Sequence, residues 1–183
     1  MTNKELDNLK EVYVNHLKDY MTETGGLFPH ITIFAEHIDK EENDKPAIIH
    51  VPIPDEFMEN DESKDRFIEE LMPELMTEMK KQFIPIGVAW ASEAWMRVAD
   101  KDFDMSKYKS LPKKEVVFMS IETKSGCDTL IYEIKRTGIQ VNSEGQLTDR
   151  IELEEIETDQ KLSSAKGRFA GLYKKLINND ETD

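Results

Sequence analysis

Leu6, Leu9, Tyr13, Leu17 and Tyr20 recur every three or four residues, the spacing that aligns one apolar face of a helix. Thr2 and Glu5 stand where a capping box would satisfy the first free amides, and Gly25-Gly26 offers the left-handed turn that closes a helix. The pattern predicts a helix over 3–22. After Pro29 the period changes to two. His30 to His37 and Ala47 to Ile53 are rich in β-branched residues and read as two strands of a hairpin around the polar loop 39–45. Pro52 and Pro54 either stop the second strand or confine its end to a sheet edge. Residues 62–81 return to helical spacing, with Phe67, Leu71, Leu75 and Met79 on one stripe and Ile68, Met72 and Met76 beside it. Pro73 lacks an amide donor and predicts a kink or break there.

Phe83 to Ala91 is apolar on both alternating faces, which marks a central strand covered on both sides. Ser92 to Ala99 fits either a continuation of that strand or a short helix. Beyond the polar connector 100–114, Glu115 to Thr123 and Thr129 to Arg136 alternate around Gly126 as a hairpin. Gly138 to Val141 and Gln146 to Ile156 suggest one more. A last helix, 160–178, puts Leu162, Ala165, Phe169, Leu172 and Leu176 on one face, with Gly167 and Gly171 spaced for close contact against a sheet. The order α-β-β-α-β-β-β-β-β-α predicts an α+β fold, a mostly antiparallel sheet of about six or seven strands packed by three helices. A chain of 183 residues predicts one domain, 1–178, followed by a short acidic tail at 179–183.

Charge narrows the class of partner. Twenty-four basic against 38 acidic residues give 24 − 38 = −14, a field that repels a polyanion, so general nucleic-acid binding is not expected. The charge is uneven. From Glu36 to Glu70 thirteen acids face four bases, a net of −9; from Glu144 to Asp159 seven acids face one base, a net of −6. The last helix carries Lys161, Lys166, Arg168, Lys174 and Lys175. Glu41, Glu42 and Asp44 are therefore candidates for contact with a protein of basic surface, and Lys166, Arg168 and Lys174 form a separate basic face. The methionines along residues 72–79 suit a core first and an interface second.

Cys127 is the only cysteine, so no intramolecular disulfide forms and a cysteine zinc site is excluded; beside the turn at Gly126 it reads as an exposed thiol. Met1 to Lys10 lacks the apolar stretch of a secretory signal, and no apolar run approaches the ~20 residues that span a bilayer. A cytoplasmic protein, of a bacterium or of an infected host cell, is expected, with no membrane association.

Candidate chemistry centres on histidine and glutamate. His30, Thr32 and Glu36 share one strand face, and His30-Ile-Thr32 resembles half of the two-histidine phosphoesterase motif, in which paired His and Thr side chains grip and activate a phosphate. No second His-x-Thr/Ser follows, because His16, His37 and His50 lead into Leu-Lys, Ile-Asp and Val-Pro. His30 and Thr32 are the catalytic candidates of that reading; a structural histidine at a strand start is the competing one. His30 and Glu36, or His37, could join His50 as a 2-His-1-carboxylate metal set if the hairpin register brings them together. The loop 39–45 lacks the glycine and closing glutamate of a calcium hand. Glu93, between Trp90 and Trp95, is the candidate acid or base beside an apolar pocket, against indoles that simply fill the core. No phosphate-cradling glycine loop, nucleophile elbow or dinucleotide fingerprint occurs, and no cofactor is expected.

The Trp-x-x-Glu-x-Trp run within Ala89 to Trp95, followed by Pro112 to Ile121 with Glu115 opening a strand, resembles small uncharacterised proteins encoded by phages and bacteria over the middle and C-terminal two-thirds of the chain. The resemblance implies an accessory gene product rather than a housekeeping enzyme and transfers no catalytic residue. The function expected from the sequence is protein–protein binding by an acidic accessory or regulatory factor, with oligomeric state left open. The alternative is a small metal-dependent or phosphoester hydrolase using His30, His50 and Glu93.

Overall fold

The computed structural model describes residues 3–38, 46–99, 102–156 and 171–177. The predicted first helix forms as α1, Asn3–Thr24, and buries Leu9, Tyr13, Leu17 and Met21. It closes at Gly25, whose φ of 79° lets its amide reach the Met21 carbonyl at 2.8 Å. Thr2, half of the expected capping box, lies outside the described residues.

Six strands form one antiparallel sheet in the order β2-β1-β3-β4-β5-β6: β1 His30–His37, β2 Ala47–Pro52, β3 Phe83–Met96, β4 Lys114–Thr123, β5 Gly126–Val141 and β6 Leu147–Glu155. Strand alternation sends Phe34, Ala89, Ala91, Val117, Met119, Ile121, Tyr132, Ile134 and Ile151 towards α1. Ile31, Ile33 and Val88 point to the opposite layer. The sheet is thus covered on both faces, and β2 is an edge strand ending at its proline, as expected. β3 continues through Met96, which settles Ser92 to Met96 as strand. A proline inside this central strand is tolerated for two reasons. The β1 register slips between Phe34 opposite Gly87 and Ala35 opposite Pro85, and the β4 ladder ends at Gly87 opposite Thr123, so no sheet bond is asked of the Pro85 nitrogen.

The second helical region begins at α2, Asp61–Arg66, with Asn60 and Ser63 in a reciprocal capping box, and ends with α3, Met72–Met79. Between them Phe67–Leu71 makes a π-turn in which the Met72 amide reaches back five residues to the Phe67 carbonyl. The break expected at Pro73 takes this form, one turn early, leaving Pro73 in the first turn of α3 where a missing amide costs little. The extra residue rotates the downstream face by about one residue's worth of helical turn. Met72, Met76 and Met79 consequently fill the core with Phe67 and Ile68, while Leu71 and Leu75 of the expected stripe are exposed.

Three expectations are corrected. The two strands read at 129–136 and 138–141 are one, β5, because a bulge between Arg136 and Gly138 absorbs the extra residue; the six strands among the described residues fall within the expected six or seven. The last helix does not run unbroken through Gly171, which adopts φ 74°; within the described residues it is a short α4, Leu172–Leu176. Residues 157–170 of that expectation lie outside the described residues, Gly167 among them; Gly171, at φ 74°, makes the turn into α4, and among the described residues no atom sits within 4 Å of where its side chain would begin. Cys127 is half-buried, its Sγ 3.3 Å from the buried Ser120 hydroxyl, rather than exposed.

Candidate functional site

His16 of α1, His30 of β1 and His50 of β2 meet at the edge of the sheet. The antiparallel register sets Thr32 opposite His50 and His30 opposite Pro52, which puts both strand histidines on the face that α1 covers. His16 lies on the same helix stripe as Tyr13 and Tyr20, three residues after one and four before the other. The His16 and His50 rings stack at 4.3 Å and 12°; His30 meets His50 edge-on at 5.1 Å, and Tyr20 packs on His30 at 5.4 Å. Two hydrogen bonds orient the strand rings. Nδ1 of His30 donates to the Phe28 carbonyl at 2.7 Å, which leaves Nε2 as the bare nitrogen of the neutral ring. Nδ1 of His50 shares a bond with the Thr32 hydroxyl at 3.0 Å.

The Nε2 atoms of all three rings are sealed from solvent and lack a hydrogen-bond partner among the described residues. Burial disfavours the charged form, so each imidazole is held below its ordinary titration range. His50 is pushed down to about 4, by burial first and then by His16 and His30. His30 is lowered mainly by burial, against the pull of the Phe28 carbonyl; His16 is lowered by burial, partly offset by Asp19. At neutral pH the cluster is uncharged. The lone pairs of stacked rings lie in two parallel planes and do not aim at one point. Among the described residues no group of three or more His, Cys, Asp or Glu is placed to hold a metal ion.

The other sequence candidates separate. Glu36 lies six residues along β1 from His30, about 20 Å away at strand rise, opposite Ile84, so the proposed His30–Glu36–His50 set does not assemble. His37 packs on Phe83. Glu93 is exposed, and its Oε1 accepts the Leu27 amide at 2.7 Å, tying the α1–β1 connection to β3. It does line a cavity of about 410 Å³ with His30, Ile53, Met58, Lys64 and Trp90. Trp90 packs on Phe118, whereas Trp95 is 66% exposed and fills no core. His30 thus touches both His50 and the Glu93 cavity, while the three candidates share no single site. Lys174 is exposed on α4; Glu41, Glu42, Asp44, Lys166 and Arg168 lie outside the described residues.

Two features were not foreseen. The first is Glu122, buried on β4, whose carboxylate accepts the Gly171 and Tyr173 amides at 2.8 and 2.9 Å and thereby fixes the start of α4. The second is the far end of the β5–β6 hairpin, where Val141 pairs with Leu147 and Ile139 with Asp149. Ile139 and Val141 share a face by alternation, and Leu147 joins it across the ladder. These three side chains are 74%, 63% and 74% exposed. The tip is nevertheless held firmly. Asn142, itself buried, donates from Nδ2 to the Glu23 carbonyl at 2.9 Å, and the Ser143 amide donates to Glu23 Oε2 at 2.8 Å. Asn142 Oδ1 also accepts the Glu144 and Gln146 amides, organising the turn that Gly145 closes at φ 79°.

The site belongs to an α+β protein with helices on both faces of a six-stranded antiparallel sheet. No family model, no curated protein and no solved structure matches the chain.

Proposed function

We propose that this protein acts by binding another protein, with the β5–β6 tip as its docking element. The observation that carries the reading is the apolar trio Ile139, Val141 and Leu147, exposed on one face of a turn pinned to α1. A scattered exposed leucine means little, but a clustered apolar group on a rigid support loses little entropy when a partner covers it. Three side chains make too small a patch to hold two copies of this chain together against a charge of −14 each. The fitting partner is a protein with an apolar groove and a basic rim, whose association is electrostatically accelerated and salt-sensitive. A cytoplasmic accessory or regulatory factor, of phage or bacterial kind, is the corresponding biological role.

The hydrolase alternative has less support. Its histidines hold their Nε2 atoms away from solvent, and Glu93 spends one oxygen on Leu27. No helix among the described residues is long and apolar enough to cross a membrane.

The test compares tagged wild type with an Ile139→Ser/Leu147→Ser double variant in capture from bacterial lysate at low and high salt. The expected result is a protein retained by wild type at low salt, weakened at high salt and lost with the variant. Identical capture by both proteins, or none by either, overturns the reading.

A further inference from the structure

We propose that the histidine cluster is an acid-sensitive latch on the docking hairpin: uncharged, it seats the C-terminal half of α1, and that half holds the β5–β6 tip. The biological meaning rests on the function proposed above, although the structural test does not.

The connection runs through one helix. His16 stacks on His50 and Tyr20 packs on His30, so residues 16–20 of α1 rest on the β1–β2 edge through aromatic contacts. One further turn along, Glu23 provides a backbone carbonyl to Asn142 and a side-chain oxygen to Ser143. The same helix therefore touches the cluster and the tip, which belong to opposite ends of the sheet order.

Protonation acts on this arrangement in one direction. The groups facing the cluster are Tyr13, Tyr20 and Asp19 from α1, Thr32 and His30 from β1, His50 from β2, and, across the cavity that His30 borders, Glu93 from β3 and Lys64 from α2. Among the described residues Asp19 is the carboxylate that draws on His16; Glu93 lines the cavity beside His30 but is bonded to the Leu27 amide, and no carboxylate draws on His30 or His50. A proton on Nε2 would create a donor with no acceptor in a sealed space. A second proton would set two cations ring against ring. Moving α1 away from the strand edge relieves both, because water then reaches the nitrogens. Since Leu17 and Met21 keep the helix on the core, the expected response is a shift of its C-terminal end rather than unfolding.

Glu23 could also release Ser143 if it became protonated, but the Ser143 amide and hydroxyl hold its carboxyl below the usual carboxylate range. The histidines therefore respond first as pH falls.

The test is amide hydrogen exchange by NMR on the protein alone, from neutral pH to about pH 4.5, read as protection factors corrected for intrinsic rate. Protection of the Ser143 amide should fall about tenfold or more while the β4 amides keep theirs. In His16→Phe, which preserves the stacked ring without the proton, most of that fall should vanish. Glu23→Gln should leave the dependence in place. Unchanged Ser143 protection in wild type, or an equal fall in His16→Phe, overturns the latch. If His16→Phe loses β4 protection at neutral pH, His50→Gln, which retains a partner for Thr32, takes its place. Exchange needs no partner, so failure here and failure of lysate capture are read separately.

Discussion

The imidazole of His16 lies over that of His50, ring centroids 4.3 Å apart and planes 12° from parallel. Parallel rings pack well when neutral and badly when charged, which gives the cluster a defined pH signature. His50 titrates at about 4 in the folded chain against 6.5 for a free imidazole, so the unfolded chain binds more protons between those values. Stability should therefore rise with pH across that window and be lost as pH falls through it. A pKa unit is worth ~1.4 kcal/mol; discounted for partial solvent screening, the loss is about 1–2 kcal/mol. Urea unfolding at both ends of the window measures it, and His50→Gln should flatten the profile.

Glu122 joins β4 to α4 through two charge-assisted bonds to backbone amides. Glu122→Ala removes both and leaves two donors without an acceptor, a loss of about 2–4 kcal/mol. Glu122→Gln keeps one oxygen acceptor and should lose less than half of that. Equal stability of both variants with wild type in urea titration would show that α4 is held by Leu172, Tyr173 and Leu176 alone.

Gly87 sits in β3 where its neighbours leave little room for a side chain. A Cβ there would lie 3.2 Å from the Glu122 carbonyl oxygen, 3.3 Å from Thr123 Cγ2 and 3.4 Å from Phe34 Cδ2. Since the nearest atom is backbone and cannot swing away, Gly87→Ala should destabilise by about 1–2 kcal/mol through overpacking. A thermal melt that moves upward instead would mean that the strands have room to separate.

The exposed trio on the β5–β6 tip should matter to binding and not to folding. Ile139→Ser/Leu147→Ser removes apolar side chains that touch little of the fold, so its unfolding free energy should stay within about 0.5 kcal/mol of wild type. Chemical denaturation of the variant provides the check, and must accompany any loss of capture before that loss is assigned to the surface.

The elements with strong periodicity were legible from the residues alone: α1, the first hairpin, β3 and the α+β class. The failures share a physical cause, in that local patterning does not show how the backbone absorbs an irregularity. Thr137-Gly138 looked like a break between two strands and is a bulge within one. The Leu71 and Leu75 stripe looked like the buried face until a π-turn rotated the methionines inward. Of the site, His30 and His50 were singled out as candidates and do meet, but the register placed Glu36 far away. His16 was set aside because it opens no His-x-Thr motif. Its signal was its position between Tyr13 and Tyr20 on the apolar stripe, where a polar residue needs company. The tip was missed because exposure at the end of a hairpin is a tertiary property.

The Glu23 bonds to Asn142 and Ser143 join residues 119 and 120 positions apart. During synthesis the end of α1 is made early and must wait for nearly all of the sheet before these partners exist. Strands β3 to β6 form a meander of sequential neighbours, able to assemble by short-range pairing, whereas α1 gains its last contacts only by long-range closure. The helix end and the hairpin tip should therefore be the last parts to dock and the first to let go, making this junction the seam of the folding pathway.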